Sequence, residues 1–292
     1  MSIVVTGATG HLGRLVVEQL LARGVAPDDV VAAGRQLGPL ADLEARGVRT
    51  AVFDYDAPAE GVLAAGDTVL LVSMPVPGNR VAQHGNALEA AAKAGVGRVV
   101  YTSAPHATDT TLVLAPEHKA TEELIRAGGV TYTILRNNWY TEGYAQTLAQ
   151  AARTGVILGS AGSGRVASAS RVDYAAATAA VLTTDGHDDA TYELTGDVAW
   201  DFTEFAQAAA TVLGRDVEYR SVSPEEHLAT LIAAGLPDGT AGFVVALDGN
   251  IREGTLGDAT GDLARLAGRP STPLVDGLRT LAQSIADSGQ RR

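Results

Sequence analysis

The sequence predicts an α/β fold, a doubly wound parallel sheet with a small C-terminal α/β lobe. Three observations predict it. Short apolar, β-branched runs recur six times in the first half, separated by alanine- and leucine-rich stretches of helical spacing. The runs are apolar throughout rather than alternating, which marks strands buried on both faces of a parallel sheet. Glycines punctuate the helix-to-strand changes at Gly24, Gly47, Gly95 and the Gly128-Gly129 pair, where left-handed helix ends are common.

Taken in order, the predicted strands are residues 3–6, 30–33, 48–53, 69–73, 98–103 and 131–135. The helices between them are 12–23, 37–46, 59–65, 79–94 and 117–127. In such a winding, ligands lie beyond the carboxyl ends of the strands. After Tyr140 the rhythm changes. A helix through about Arg153 leads to a glycine-rich loop from Gly159 to Gly164, and Asp173 reads as the cap of a helix through Leu182. A strand at 191–194 follows, then helix 202–213, strand 217–222 and helix 224–234; residues 288–292 read as disordered. Two units are expected: a core over 1–155, and 156–292 holding the remaining sheet elements and the small lobe.

Composition excludes several functions. At 292 residues and 46% hydrophobic content, the core needs no metal or disulfide staple. The absence of cysteine removes thiolate metal sites, disulfides and a cysteine nucleophile, and suits a reducing compartment. With 34 acids against 22 bases the chain carries −12, and no basic run stands out, so nucleic acid is not an expected partner. The longest apolar stretch, 68–77, is too short to cross a bilayer, and the strand-like start lacks a basic leader. No membrane insertion is expected, and the cytoplasm is the expected location. Nothing in the sequence marks an oligomer interface.

The strongest local signal is the run Val4-Val5-Thr6-Gly7-Ala8-Thr9-Gly10-His11-Leu12-Gly13. Three glycines spaced by two residues end the first strand and open the first helix. The first permits a tight turn, the second lets amides approach a pyrophosphate, and the third allows close helix–strand packing. In this context the pattern predicts a Rossmann fold that binds a nicotinamide dinucleotide. An NAD site places a carboxylate at the end of strand two; Gly34-Arg35-Gln36 stands there instead. With no acid to repel a 2′-phosphate and a guanidinium able to hold it, NADPH is the expected cofactor, with NADH weaker. Arg35 stacking on adenine is the alternative, and would tolerate both. Ser73-Met74-Pro75, Ser103 and Asn137 to Tyr140 end the other central strands; Asp54-Tyr55 is either an adenine contact or a plain turn.

These segments resemble a known family. TGATGHLG, AAGR, DYD, QHGNALEAAAKAGVGRVVYTS, LRNNWYTE, SRVDYAAA and YELTGDVAW follow in the order found in NAD(P)H:quinone oxidoreductases of the second type. These belong to the NmrA-like, atypical branch of the short-chain dehydrogenase/reductases, and the resemblance runs to about Pro273. It implies hydride transfer from NADPH to a quinone. Carried over by position, Gly7, Ala8, Thr9, Gly10, His11, Leu12 and Gly13 would hold the pyrophosphate, and Arg35 the 2′-phosphate. Ser73 to Pro75, with Asn137, Asn138, Trp139, Tyr140, Thr141 and Glu142, would line the nicotinamide side. The family often has a small polar run after strand four, from which Met74 and Pro75 depart.

Ordinary short-chain dehydrogenases use a serine and a tyrosine with a lysine four residues later. Ser103 and Lys119 stand at fitting places, but Ala115 replaces the tyrosine. A quinone needs less help than a ketone, because its product oxygen is phenolate-like, with a pKa of about 10 if tyrosine is a guide. Lys119 is either a contact to ribose or developing charge, or a solvated helix lysine. Asn138, Trp139 and Tyr140 are candidates for a flat-ring pocket, and Arg165, after the glycine-rich loop, for a substrate contact or a surface turn. His84, His106, His118 and His187 lack metal-site spacing, and no G-x-S-x-G elbow occurs. The resemblance leaves two other readings open: a redox sensor that binds NADP(H) without turnover, and a reductase of another conjugated acceptor such as a triphenylmethane dye.

Overall fold

Val4 and Val5 are adjacent, yet each lies at the heart of a different apolar cluster. Val5 packs with Leu12, Val16, Val17 and Leu20, and Val4 with Val31, Val69, Leu71 and Tyr101. Successive strand residues point to opposite faces, so a strand apolar at every position must be covered on both sides. The computed structural model describes residues 1–74 and 78–290, with side chains through Asp287. Its main sheet is built from β1 (Ile3–Val5), β2 (Val30–Gly34), β3 (Arg49–Val52), β4 (Thr68–Leu71), β5 (Arg98–Ser103), β6 (Thr131–Asn137) and, across the change in rhythm, β8 (Ala190–Leu194). All neighbours are parallel and the order is β3-β2-β1-β4-β5-β6-β8. The winding reverses between β1 and β4, as a doubly wound Rossmann fold requires.

Helices α1 (His11–Ala22) and α6 (Arg171–Thr183) pack on one face. Helices α3 (Arg80–Ala94) and α4 (Ala115–Ala127) cover the other, and the short α2 (Ala41–Glu44) closes the edge. Leu20, Leu40, Leu43, Leu70 and Leu135 are fully buried. Each such side chain contributes about 1.5–3 kcal/mol over leaving it in water.

The predicted helix over 59–65 does not form. Those residues make turns and bends, with Gly61 at φ 79° and Gly66, just after them, at φ 81°. Seven residues scarcely repay helix nucleation, whereas Leu63 gains burial by dropping into the cluster around Phe53 and Tyr55. Asp173 is not a cap. Ser170 occupies that place, and the Asp173 carboxylate accepts from Thr272 N (2.9 Å) and pairs with Arg269 (2.6 Å), which ties down a distant segment.

Beyond β6 come α5 (Ala145–Thr154), β7 (Val156–Gly159), α7 (Phe202–Leu213), β9 (Glu218–Ser221), α8 (Pro224–Ala233), α9 (Asp238–Arg252), α10 (Asp262–Ala267) and α11 (Leu274–Gln290). Strands β7 and β9 form a separate parallel pair. Here the residue pattern had predicted a loop without its leading strand. Tyr144, Trp200, Phe202 and Phe205 meet in an aromatic cluster under α11, with ring centroids 5.1–6.0 Å apart. Asp201 and Glu204 form a reciprocal capping box at the start of α7. Helix α11 continues to Gln290, so Ser288 to Gln290, predicted disordered, are helical. Among the described residues no helix is long and apolar enough to cross a membrane.

Candidate active site

The backbone turn between β1 and α1 is dictated by its glycines. Gly7 sits at φ 62°, a conformation open to glycine at no steric cost. A Cβ on Gly13 would lie 2.8 Å from the Gly7 carbonyl carbon and 3.0 Å from Ala8 Cα. The first helical bond of α1 is donated by Arg14 N to Gly10 O. The amides of His11, Leu12 and Gly13 therefore stand at an open helix N-terminus, where the dipole favours an anion.

That terminus opens onto a cavity of about 490 Å³ at the carboxyl ends of the strands. Gly7, Gly10, His11, Leu12, Gly13, Ser73 and Met74 form one wall; Asn137, Asn138, Trp139 and Tyr140 form the opposite one. A second hollow of about 200 Å³ shares Gly7, Gly10, Ser73 and Met74, and continues to Thr9, Gly34, Arg35, Asp54 and Tyr55. Arg35 is exposed at its rim, with no ion pair among the described residues. A separate hollow between the 56–63 turns and α3, lined by Glu60, Glu89 and Lys93, has neither glycine turn nor strand ends.

The remaining predicted residues divide. Ala8 is fully buried and its amide bonds Ala33 O, so it shapes the turn without lining it. Pro75 lies outside the described residues. Asn137, a lining residue, donates from Nδ2 to the Tyr140 hydroxyl (3.1 Å), while its buried Oδ1 has no partner. Asn138 is held by Leu256 O, and its Oδ1 accepts from Trp139 N. Arg171 lies over the Tyr140 ring, 5.1 Å from its centroid. Thr141 and Glu142 stand behind this wall: Thr141 bonds Ser168, and the Glu142 carboxylate accepts from Arg171 N at 2.9 Å. Burial raises the Tyr140 pKa above its ordinary value, more than the Asn137 hydrogen bond lowers it.

Two predicted substrate or catalytic candidates lie elsewhere. Lys119 is exposed on α4 and is not among the lining residues. Arg165 is held away from the cavity by Ala199 O, Asp201 and Glu204 at the start of α7. Ser103 reaches the cavity, but its hydroxyl donates to Glu122 Oε1 at 2.7 Å.

The structure adds residues that were not singled out for the site: Arg80, Leu112, Leu114, His118, Arg171 and Phe243. The signal for His118 was present in the spacing. Ala115, His118, Thr121, Glu122 and Ile125 form the inward stripe of α4, one residue out of step with Lys119. His118 Nδ1 lies 2.8 Å from the Tyr101 hydroxyl. Burial, then the nearby Arg80 charge and His84, push the His118 pKa down to about 3, so the imidazole is neutral.

An amide-lined helix opening, glycines that a side chain would fill, a free guanidinium after β2 and an orphaned Asn137 oxygen fit a nicotinamide dinucleotide laid across the switch point. Fold and site together define a Rossmann-type dinucleotide-binding protein. Residues 7–185 match the NAD(P)H-binding family. Quinone oxidoreductase 2 of Escherichia coli K12 is 39% identical over 96% of this chain and 98% of its own length. The crystal structure of the NADPH-dependent quinone oxidoreductase of Escherichia coli with NADPH superposes with a TM-score of 0.89 at 37% identity, covering 97% of this chain and 99% of that one. Triphenylmethane reductase of a Citrobacter species, complexed with NADP(H), gives 0.89 at 35% identity over 96% of this chain and all of that one. The chain belongs to the NAD(P)H-binding family, in the NmrA-like branch that includes quinone oxidoreductase 2.

Proposed function

We propose that this protein is an NADPH-dependent quinone reductase that makes the quinol in one two-electron step. The observation that carries the reading is the joining of the amide-lined turn and the free Arg35 to an aromatic pocket in a run of cavities sharing Gly7, Gly10, Ser73 and Met74. The bound cofactor supplies a hydride to a flat acceptor. The protein supplies position. Its α1 amides would take the pyrophosphate, Arg35 would take the 2′-phosphate, and Asn137 would stand on the nicotinamide side. Trp139, Tyr140 and Phe243 form a slot for the acceptor ring, with the 156–292 part contributing Arg171 and Phe243 across the 1–155 core. Holding two rings in contact distance accounts for much of the rate such an enzyme needs, and the acceptor's phenolate-like product explains why Ala115 suffices where a carbonyl reductase needs tyrosine.

A small-molecule acceptor suits the net charge of −12, which disfavours nucleic acid. The cysteine-free composition suits the cytoplasm. The test is direct. Protein, NADPH and 1,4-naphthoquinone are mixed and the loss of reduced-nicotinamide absorbance is followed, with NADH and a triphenylmethane dye as parallel arms. Saturable oxidation well above the enzyme-free rate, faster with NADPH than NADH, is expected. Tight binding of NADPH and NADP⁺ with no acceptor accelerating oxidation would assign the protein as a sensor instead.

A further inference from the structure

We infer that His118 is the hydrogen-bond donor to the acceptor: its Nε2–H holds the quinone oxygen that becomes an oxyanion, and the Tyr101 hydroxyl fixes the tautomer that makes this so. The inference rests on the quinone-reductase reading and supplies the polarising group left open by Ala115.

The argument begins with counting donors. Tyr101 is fully buried, and its hydroxyl hydrogen needs an acceptor. The His118 Nδ1 lies 2.8 Å away. The other nearby oxygen, Thr121 Oγ1, donates to Glu117 O at 2.9 Å and accepts from His84. His84 must use Nδ1–H there, because its Nε2 accepts from Met74 N at 3.2 Å. Thr121 Oγ1 keeps one lone pair beside Tyr101, but the imidazole nitrogen is the stronger acceptor and lies within 2.8 Å, so the geometry favours Tyr101 donating to His118 Nδ1. A neutral imidazole with an accepting Nδ1 carries its proton on Nε2, and no described residue accepts from that nitrogen. His118 lines the cavity together with the glycine turn and Trp139.

The imidazole is also held neutral and still. Its residue is 6% exposed, and its ring stands 6.0 Å from that of Tyr101. Arg80 borders the same corner with Nε bonded to Met74 O and Nη1 3.3 Å from Glu117. A donor already oriented before charge forms needs little reorganisation when it does.

The step balances. The quinone accepts one hydride, which is two electrons with one hydrogen nucleus, as NADPH is oxidised to NADP⁺, and becomes the quinol monoanion. Water supplies the proton that completes the quinol, and His118 retains its own. Ser103 cannot serve, since its hydroxyl donates to Glu122. The competitor is Tyr140, whose oxygen accepts from Asn137 and whose own hydrogen is free.

The test uses the full chain with NADPH and 1,4-naphthoquinone, comparing His118→Leu, His118→Gln, Tyr101→Phe and Tyr140→Phe. NADPH affinity and melting temperature are measured for each. His118→Leu should lower kcat roughly 10²- to 10³-fold, the cost of removing one such donor, with NADPH binding unchanged. His118→Gln, which keeps an N–H, should recover at least tenfold of that loss. Nitrogen-15 NMR should show His118 as the Nε2–H tautomer in the wild type and as a mixture in Tyr101→Phe, a change that simple loss of packing would not give. If His118→Leu keeps kcat within twofold, if only Tyr140→Phe collapses turnover, or if the proton sits on Nδ1, the assignment is overturned while the quinone-reductase reading stands. A wild-type protein that does not turn over quinone overturns both.

Discussion

Gly13 lies so close beneath Gly7 that a Cβ added to it would strike the Gly7 carbonyl, 2.8 Å from the carbon. The contact is backbone to backbone, so no flexible side chain can yield. Gly13→Ala must push α1 away from β1, moving the amides of His11 and Leu12 from the place proposed for the pyrophosphate. Overpacking of this kind costs about 1–3 kcal/mol of stability. Gly13→Ala should melt measurably lower and bind NADPH at least tenfold more weakly by fluorescence titration. Unchanged affinity would show that the turn does not hold the cofactor.

Arg35 is the residue proposed to separate the two nicotinamide cofactors. It is exposed after β2 and has no ion pair among the described residues, so its guanidinium is free for a phosphate. Hydrogen bonds to a charged group are worth about 1.5–3 kcal/mol, which is roughly ten- to 150-fold in affinity. Arg35→Glu should weaken NADPH by at least that much in calorimetry, because repulsion adds to the lost bonds, and leave NADH within a few-fold. Equal losses for both would mean that the side chain stacks on adenine instead.

How far the sequence could be read depended on whether the constraint was local. The β1 turn, the β2 end and the apolar runs of β4 to β6 announce themselves, because a glycine cradle and a two-sided strand each impose a residue pattern. Strand β7 does not, since it exists only by pairing with β9 some sixty residues on (Val156 with Glu218). Arg165 stayed open between a substrate contact and a surface turn for a similar reason: its partners Asp201 and Glu204 belong to a capping box that no nearby residue reveals. Helix α4 is the instructive case. Its inward stripe was legible from Ala115 to Ile125 and selects His118, yet a resemblance centred on a lysine drew attention to the exposed Lys119.

Glu122 anchors the floor of the site. It is fully buried, accepts from Ser103 (2.7 Å) and receives two bonds from Arg136, at 2.9 and 2.8 Å. Arg136 is 8% exposed and also pairs with Glu193 at 2.8 Å. Burial alone would lower the Arg136 pKa, but the bonds from Glu122 and Glu193 more than offset it and raise it. Removing one partner of a buried pair leaves an uncompensated charge, at about 3–5 kcal/mol. Glu122→Ala should lose an amount near the low end of that range in urea titration, because Glu193 remains. A loss below about 1 kcal/mol would show that the pair behaves as if it were solvated.

His84 gives the fold an acid-sensitive point away from the reacting atoms. The ring is fully buried between Met74 N and Thr121, and burial, then the Arg80 charge, push its pKa down to about 3. An unfolded histidine titrates near about 6.5. Above that pH both states are neutral and the full stability is present. As the pH falls below it, the unfolded chain takes up a proton that the folded one refuses, so stability is lost progressively down to the folded pKa. Linkage puts the loss from this one group at about 2 kcal/mol between pH 7 and pH 5. His84→Gln removes the titration while keeping an amide to meet the same partners. Urea midpoints should therefore fall more steeply from pH 7 to 5 in the wild type than in His84→Gln, whatever the variant's absolute stability. Parallel curves would mean that the histidine is protonated without cost, and that its tight seat between α3 and α4 does not exclude charge.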